Sequence, residues 1–132
     1  MLSTVRMRSG LRTPNHPIQH MLLHALDAWV RDAAVLTDLE RVRGALYAGA
    51  GAGGATVVGE AFSVFPNGAV TGVLVLAQSH LSIHTWPELA LANIDLLSYG
   101  DVSGDEVLRV ICERLGAERA ELTRIWRTVA GP

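Results

Sequence analysis

The chain has 132 residues, of which 49% are hydrophobic, and it carries a formal net charge of −2. This length is enough for one domain with a substantial core and too short for two ordinary domains. The charge gives no basic surface for nucleic acid, and no apolar run is long enough to span a bilayer, so neither nucleic acid nor a membrane is expected as a partner.

The first segment, residues 1–17, contains arginines but no periodic apolar pattern, and we predict that it is a flexible tail. It lacks the apolar stretch of a secretory signal, and the single Cys112 cannot form an internal disulfide, so a cytoplasmic location is expected. Residues 18–132 are then expected to form one domain.

The domain is predicted to begin with a short strand at Gln19–Leu26. A capping box of Thr37 and Glu40 follows, and apolar residues at helical spacing predict a first helix over roughly Asp38–Ala48. The β-branched runs ATVVGEAFSVF and AVTGVLVLA come next. Because Pro66–Gly68 between them has turn chemistry, these two runs are predicted to form a β-hairpin.

The second half of the chain is predicted to add three strands and one helix. SHLSIHTW alternates as a strand does, LANIDLLS is interpreted as another strand, and AELTRIW as the last. Ser103 and Glu106 form a second capping box, and Gly116 is the expected C-terminal stop of that helix. Two amphipathic helices among about six strands predict an α/β fold, a two-layer sandwich in which both helices cover one face of a mostly antiparallel sheet.

Two compositional features limit the cofactors that the chain can use. All eleven basic residues are arginine, so no lysine is available for a Schiff base with pyridoxal phosphate or for a P-loop. Gly49, Gly51 and Gly54 match the pattern G-x-G-x-x-G, but they follow a predicted helix and precede a predicted strand. Since dinucleotide-binding motifs need the reverse order, this run is predicted to be a flexible connector.

Three histidines, His16, His20 and His24, are spaced four apart, which on a helix would place them on one face. Pro17 lies inside the run, the segment reads as extended, and the H-E-x-x-H pattern is absent. No metal site is therefore predicted.

The stretch QSHLSIHTWPE, Gln78–Glu88, holds two of the five histidines together with two serines, a tryptophan and a proline. Spacing alone leaves two interpretations open, an ordinary strand with a polar edge or a site built on a serine and a histidine. With ANIDLLSYG behind it and FPNGAVTG before it, the stretch resembles the prokaryotic S-adenosylmethionine decarboxylase family. The resemblance extends over about Ile18–Arg127.

The resemblance implies a self-processing proenzyme that needs neither pyridoxal phosphate nor a metal. In this family the motif serine, here Ser79, attacks the carbonyl of Gln78 in an N→O acyl shift. Elimination then cuts the chain between the two residues and leaves a pyruvoyl group on the new N-terminus. That carbonyl forms a Schiff base with the substrate amine and acts as the electron sink of a carboxy-lyase.

The resemblance also assigns individual roles. His84 matches the histidine that transfers a proton during processing, and Thr71 matches a serine that steadies the processing intermediate. Phe65 matches an aromatic residue that stacks on adenine, and Glu88 matches the acid that accepts hydrogen bonds from the ribose.

Assembly follows from strand geometry together with the resemblance. On a regular strand Ser79 and His84 lie on opposite faces and about five residues at ~3.3 Å apart, too far for direct proton transfer. Either the chain bends sharply near the cleavage site or the site is shared between protomers. Because the family is dimeric, we expect a homodimer with its sites near the subunit interface.

Three departures from the family pattern leave the identity of the substrate undetermined. Gln78 replaces a glutamate, Tyr99 stands in place of the catalytic cysteine that returns a proton, and His24 stands where an acid is frequent. Tyr99 is the candidate proton donor in this chain. Three functions therefore remain: S-adenosylmethionine decarboxylation for spermidine and hence polyamine biosynthesis, the same pyruvoyl chemistry on L-ornithine or L-arginine, or a non-catalytic paralogue that lacks the family cysteine.

Overall fold

The protein is represented by a computed structural model that describes residues 4–8 and 20–129. Its elements in chain order are β1 (Thr4–Arg8), β2 (His20–Val30), α1 (Leu39–Ala52), β3 (Val57–Val64), β4 (Val70–Leu76), β5 (Ser79–Trp86), β6 (Leu91–Ser98), α2 (Gly104–Leu115) and β7 (Ala117–Thr128). The strands form one sheet in the order β1-β7-β2-β6-β5-β4-β3. All neighbouring pairs in this sheet are antiparallel except β1 and β7, which are parallel. The predicted two-layer α/β sandwich is confirmed.

Alternating burial distinguishes the two faces of the sheet. In the interior strand β5, Leu81, Ile83 and Thr85 are buried, whereas the alternating residues, such as His80 and His84, are only half-buried. The buried set packs with the apolar faces of α1 and α2 in one core. The opposite face, which we call the open face, carries the half-buried set and is covered by no other element among the described residues.

Local sequence signals placed most elements correctly. The hairpin of β3 and β4, the strands β5 and β6, and the Ser103 cap of α2 are confirmed, and the Ser103 hydroxyl accepts from the backbone N–H of Glu106. Gly116 ends α2 in the left-handed conformation, as predicted. The first and last strands of the predicted domain, β2 and β7, are longer than their apolar runs indicated.

Two predictions about α1 are wrong. Its N-cap is Asp38, whose carboxylate accepts from the N–H of Arg41, while the Thr37 hydroxyl donates instead to the carbonyl of Ala34. The helix also continues to Ala52, so most of the glycine-rich run predicted to be a flexible connector is helical.

The predicted tail at residues 1–17 includes β1, whose backbone pairs in parallel with β7 from Thr4↔Arg119 to Arg8↔Thr123. The rest of that segment lies outside the described residues. In the part of the chain that the structure describes, no helix is long and apolar enough to cross a membrane.

The glycines of α1 allow close helix packing. A Cβ atom added at Gly49 would lie 2.6 Å from Cγ1 of Ile111 and 2.7 Å from the carbonyl oxygen of Val107, both on α2. These separations are far below van der Waals contact, and one of the atoms belongs to the backbone, so the neighbour cannot simply rotate away. The α1–α2 contact therefore requires a residue without a side chain at this position.

We expect Gly49→Ala to lower the free energy of unfolding by about 1–3 kcal/mol, because overpacking outweighs the gain in helix propensity. Gly44→Ala is the matched control, since a Cβ at Gly44 of the same helix meets no atom within 4 Å. That control should raise stability by up to about 1 kcal/mol. Urea unfolding of both variants measures the difference, and equal midpoints would show that α2 yields to the added methyl group.

Candidate active site

The peptide bond predicted to be cut lies at the tip of a tight hairpin. Strand β4 ends at Leu76 and β5 begins at Ser79, and these two residues face each other across the ladder, so only Ala77 and Gln78 form the turn. Ser79 has a φ of 123°, in the region that favours glycine. A serine held in this conformation stores backbone strain, and the strain adjoins the bond between Gln78 and Ser79.

Contacts on both sides fix this tip, which we call the cleavage hairpin (Leu76–Ser79). The N–H of Ala77 donates to the carbonyl of Thr56 at 2.8 Å, and the N–H of Thr56 donates to the side-chain oxygen of Gln78 at 3.2 Å. On the other side, the exposed Tyr99 hydroxyl donates a long hydrogen bond of 3.5 Å to the carbonyl of Ala77. Tyr99 therefore lies beside the cleavage hairpin.

His80 makes the nearest side-chain contact to the serine. The Ser79 hydroxyl lies 3.0 Å from Nδ1 of His80. No role for His80 follows from the sequence pattern, because adjacent residues of a regular strand point to opposite faces. The unusual φ of Ser79, which no local motif indicates, is what allows this contact.

The other predicted site residues gather at the far end of β5. The Thr71 hydroxyl lies 2.6 Å from Nδ1 of His84, and the His84 ring meets Phe65 edge-on with centroids 5.6 Å apart. Glu88 accepts from the side-chain amide of Asn67 at 3.3 Å, in the turn that follows Phe65. We call Phe65, Thr71, His84 and Glu88 the histidine cluster.

Trp86 extends the histidine cluster across the open face. Its ring lies 4.4 Å from that of His84, and its indole N–H donates to Asn93, whose amide donates in turn to Asp27. Trp86 remains 40% exposed, which leaves an apolar surface beside the cluster. No function for this residue follows from the sequence.

One chain does not bring the cleavage hairpin and the histidine cluster together. Ser79 and His84 begin and nearly end the same strand, about 16 Å apart at ~3.3 Å per residue. Ser79 contacts His80, whereas His84 is engaged by Thr71. The two groups of residues therefore need either a large rearrangement or a second chain to meet.

A cavity of about 560 Å³ lies next to Tyr99, between the sheet and the N-terminus of α2. It is lined by Leu22, His24, Ser98, Tyr99, Gly100, Val102, Ser103, Gly104, Asp105, Arg124 and Trp126. Neither Phe65 nor Glu88 contributes to it, so this cavity is separate from the histidine cluster. His24 is buried in its wall, with Nε2 3.8 Å from the Asp105 carboxylate and Nδ1 without a hydrogen-bond partner among the residues that the structure describes.

Burial lowers the pKa of His24 below its ordinary value, and the charge of Arg124 lowers this pKa further, while Asp105 opposes both. The unfolded chain protonates this residue near pH 6.5, whereas the folded chain does so only at lower pH. We therefore expect the free energy of unfolding to fall as the pH drops below about 6.5, by at most about 1.4 kcal/mol per pH unit from this group. His24→Gln should flatten the pH dependence measured by urea unfolding, and an unchanged slope would contradict the assignment.

Cys112 cannot take the place of the missing family cysteine. It lies in the core on α2, and burial raises the pKa of its thiol to about 11. A cysteine that is buried in the core and has a raised thiol pKa acts as a packing residue. Tyr99 thus remains the candidate proton donor in the described structure.

Comparisons with known proteins agree on one family. Residues 20–128 match the S-adenosylmethionine decarboxylase family. An S-adenosylmethionine decarboxylase proenzyme of Pseudomonas paraeruginosa is 37% identical over 71% of this chain and 59% of its own length. The proenzyme of that name from Caldanaerobacter subterraneus is 38% identical over 74% of this chain and 80% of its own.

The fold agrees with a solved structure as well. The crystal structure of the adenosylmethionine decarboxylase from Aquifex aeolicus superposes with a TM-score of 0.77 at 29% identity, covering 86% of this chain and 94% of that one. The chain belongs to the S-adenosylmethionine decarboxylase family. It spans 59% of the length of the Pseudomonas relatives that it matches.

Proposed function

We propose that the protein is a pyruvoyl-dependent S-adenosylmethionine decarboxylase that acts in spermidine biosynthesis after cutting itself between Gln78 and Ser79. The observation that carries this proposal is the conformation of Ser79, which sits at the tip of a two-residue hairpin with a φ of 123°. Backbone strain next to the scissile peptide bond, together with a hydroxyl held beside an imidazole, favours an acyl shift. Membership of the family supplies the reaction class.

The residues around Ser79 fit the formation of a pyruvoyl group. The hydroxyl has a neighbouring imidazole to take its proton, and the turn that carries the scissile carbonyl is held by Thr56 and Tyr99. When formed, the pyruvoyl carbonyl supplies the electron sink for decarboxylation, a function for which the chain has no lysine. Tyr99 is then positioned to hold a proton at the side of the reacting carbon.

We propose further that the active protein is a homodimer in which the open faces of two sheets pack together. In an antiparallel arrangement of two β5 strands, the cleavage hairpin of one protomer meets the histidine cluster of its partner. This arrangement would supply Ser79 with the Thr71–His84 pair and with Phe65 and Glu88 for the adenosyl part of the substrate. The same dimer interface would bury the half-buried residues and the exposed Trp86 of the open face.

Measuring the CO₂ released from each candidate substrate tests the proposal directly. Purified protein is incubated separately with carboxyl-labelled S-adenosylmethionine, L-ornithine and L-arginine, and labelled CO₂ is counted. We expect turnover of S-adenosylmethionine alone. Release only from ornithine or arginine would assign the pyruvoyl chemistry to a basic amino acid, and release from none would favour the non-catalytic paralogue.

Tyr99→Phe is expected to lower turnover by about 10²-fold or more while the chain is still cut, because the two reactions use different protons. The matched control is Tyr47→Phe, since the Tyr47 hydroxyl is bonded to Glu60 on the helix side of the sheet, away from the hairpin. That control should retain full turnover. Cleavage is followed on a denaturing gel and turnover by labelled CO₂, and full activity of Tyr99→Phe would remove the proposed proton donor.

A further inference from the structure

We propose that His80 takes the hydroxyl proton of Ser79 when the chain cuts itself, an inference that rests on the proposed function. Nδ1 of His80 lies 3.0 Å from Oγ of Ser79, within hydrogen-bond distance of the atom that must lose the proton. Within one chain, His84 is about 16 Å further along the strand with its own Nδ1 engaged by Thr71, so His80 is the histidine of the same chain that contacts Ser79. The motif thus contains two histidines that contact different residues, Ser79 for His80 and Thr71 for His84.

The contact depends on the strain at Ser79. On a regular strand Ser79 would share the helix-covered face with Leu81, while His80 points to the open face. A φ of 123° departs from the value near −140° of an antiparallel strand, so the serine side chain does not follow the alternation. Strain in the backbone and access to the imidazole are therefore produced by one conformation.

The proton transfer requires one particular tautomer of His80. Nδ1 can accept only if the ring proton is on Nε2. Asp95 on β6 interacts electrostatically with His80, and on the β4 side His80 faces the apolar Val75. Asp95 pairs with Ser82, which shares the open face with His80. Asp27 also interacts electrostatically with Asp95.

The step balances without any external reagent. Oγ of Ser79 bonds to the carbonyl carbon of Gln78 while its proton passes to Nδ1 of His80. The tetrahedral centre then collapses, the bond from that carbon to the Ser79 nitrogen breaks, and His80 gives the proton to this nitrogen as it becomes an amine. An ester has replaced an amide, with no change in oxidation state.

The test compares the rate of self-cleavage in three variants of the full chain, expressed at low temperature so that uncut chain can be purified. His80→Asn keeps a polar atom near the position of Nδ1 but cannot take up a proton, and it should cleave at least about 10²-fold more slowly than wild type. His80→Ala should be equally slow and should recover cleavage when imidazole is added. Ser82→Ala, on the same face of β5, is the control and should cleave at the wild-type rate.

The outcomes separate this inference from the proposed function. Wild-type chain that never cuts itself overturns both. Wild-type cleavage together with an unchanged rate in His80→Asn overturns only the role of His80. A slow His80→Ala variant that imidazole does not rescue, although its circular dichroism and thermal unfolding match those of wild type, also overturns it, since a purely structural role would not respond to a free base.

Discussion

Ser79→Ala is expected to remain a single intact chain on a denaturing gel and to release no CO₂ from S-adenosylmethionine, while the wild type separates into residues 1–78 and 79–132. The loss should be complete, because alanine has no hydroxyl to attack the carbonyl of Gln78 and no oxygen for the elimination that follows. The wild-type fragment that begins at position 79 should resist N-terminal sequencing until reductive amination converts its pyruvoyl end.

Ser82→Ala on β5 is a control with the same chemical change outside the hairpin, and it should be cut normally. A wild-type chain that stays whole and still decarboxylates a substrate would show that the pyruvoyl mechanism is wrong. Cleavage of Ser79→Ala at the same bond would show that a protease, not the chain itself, makes the cut.

Mixing two inactive variants is expected to restore cleavage if the site is shared between protomers. Ser79→Ala has a complete histidine cluster and no serine, whereas His84→Ala has the serine and an incomplete cluster. In a mixed dimer, the hairpin of the His84→Ala chain meets the intact cluster of the Ser79→Ala chain. Only the His84→Ala chain should then be cut, and size-distinct tags identify it on a denaturing gel.

The matched control replaces Ser79→Ala by the double variant with His84→Ala as well, which offers no intact cluster and should leave both chains whole. Co-expressed chains are purified through both tags so that only mixed dimers are tested. If these mixed dimers form and neither chain is cut, the serine and the histidine must act within one chain. A strictly monomeric active protein would contradict the shared site in the same way.

The elements of the fold that were predicted correctly are those determined by short-range sequence signals. Pro66–Gly68 determines a turn through its own backbone preferences, and Ser103 caps a helix through one hydrogen bond, so both were visible in the sequence. Gly49 is an example of a residue whose structural role such local signals do not predict. The run that begins at Gly49 was predicted to be a connector, but the missing side chain of Gly49 is required by Ile111 on another helix, and such a long-range contact has no local signature.

The candidate site was predictable to the same extent. The resemblance selected Ser79, His84, Thr71 and Tyr99 by position, and strand geometry alone predicted that Ser79 and His84 lie far apart in one chain. The contact of Thr71 with His84 depends on the register of β4 with β5, which only the folded sheet establishes. His80 remained unassigned because its contact arises from a backbone angle that strand alternation does not allow for.

A cut at the tip of the hairpin has a thermodynamic consequence for the mature protein. The ladder from Thr71↔His84 to Leu76↔Ser79 holds β4 and β5 side by side without help from the turn, so the two fragments stay assembled. Once unfolded, however, they no longer share a covalent link, and refolding becomes a bimolecular reaction. The melting temperature of the mature protein should therefore rise with protein concentration. After heating, the two fragments should reassemble only slowly, so the cleaved protein is less able to recover its fold than the intact chain.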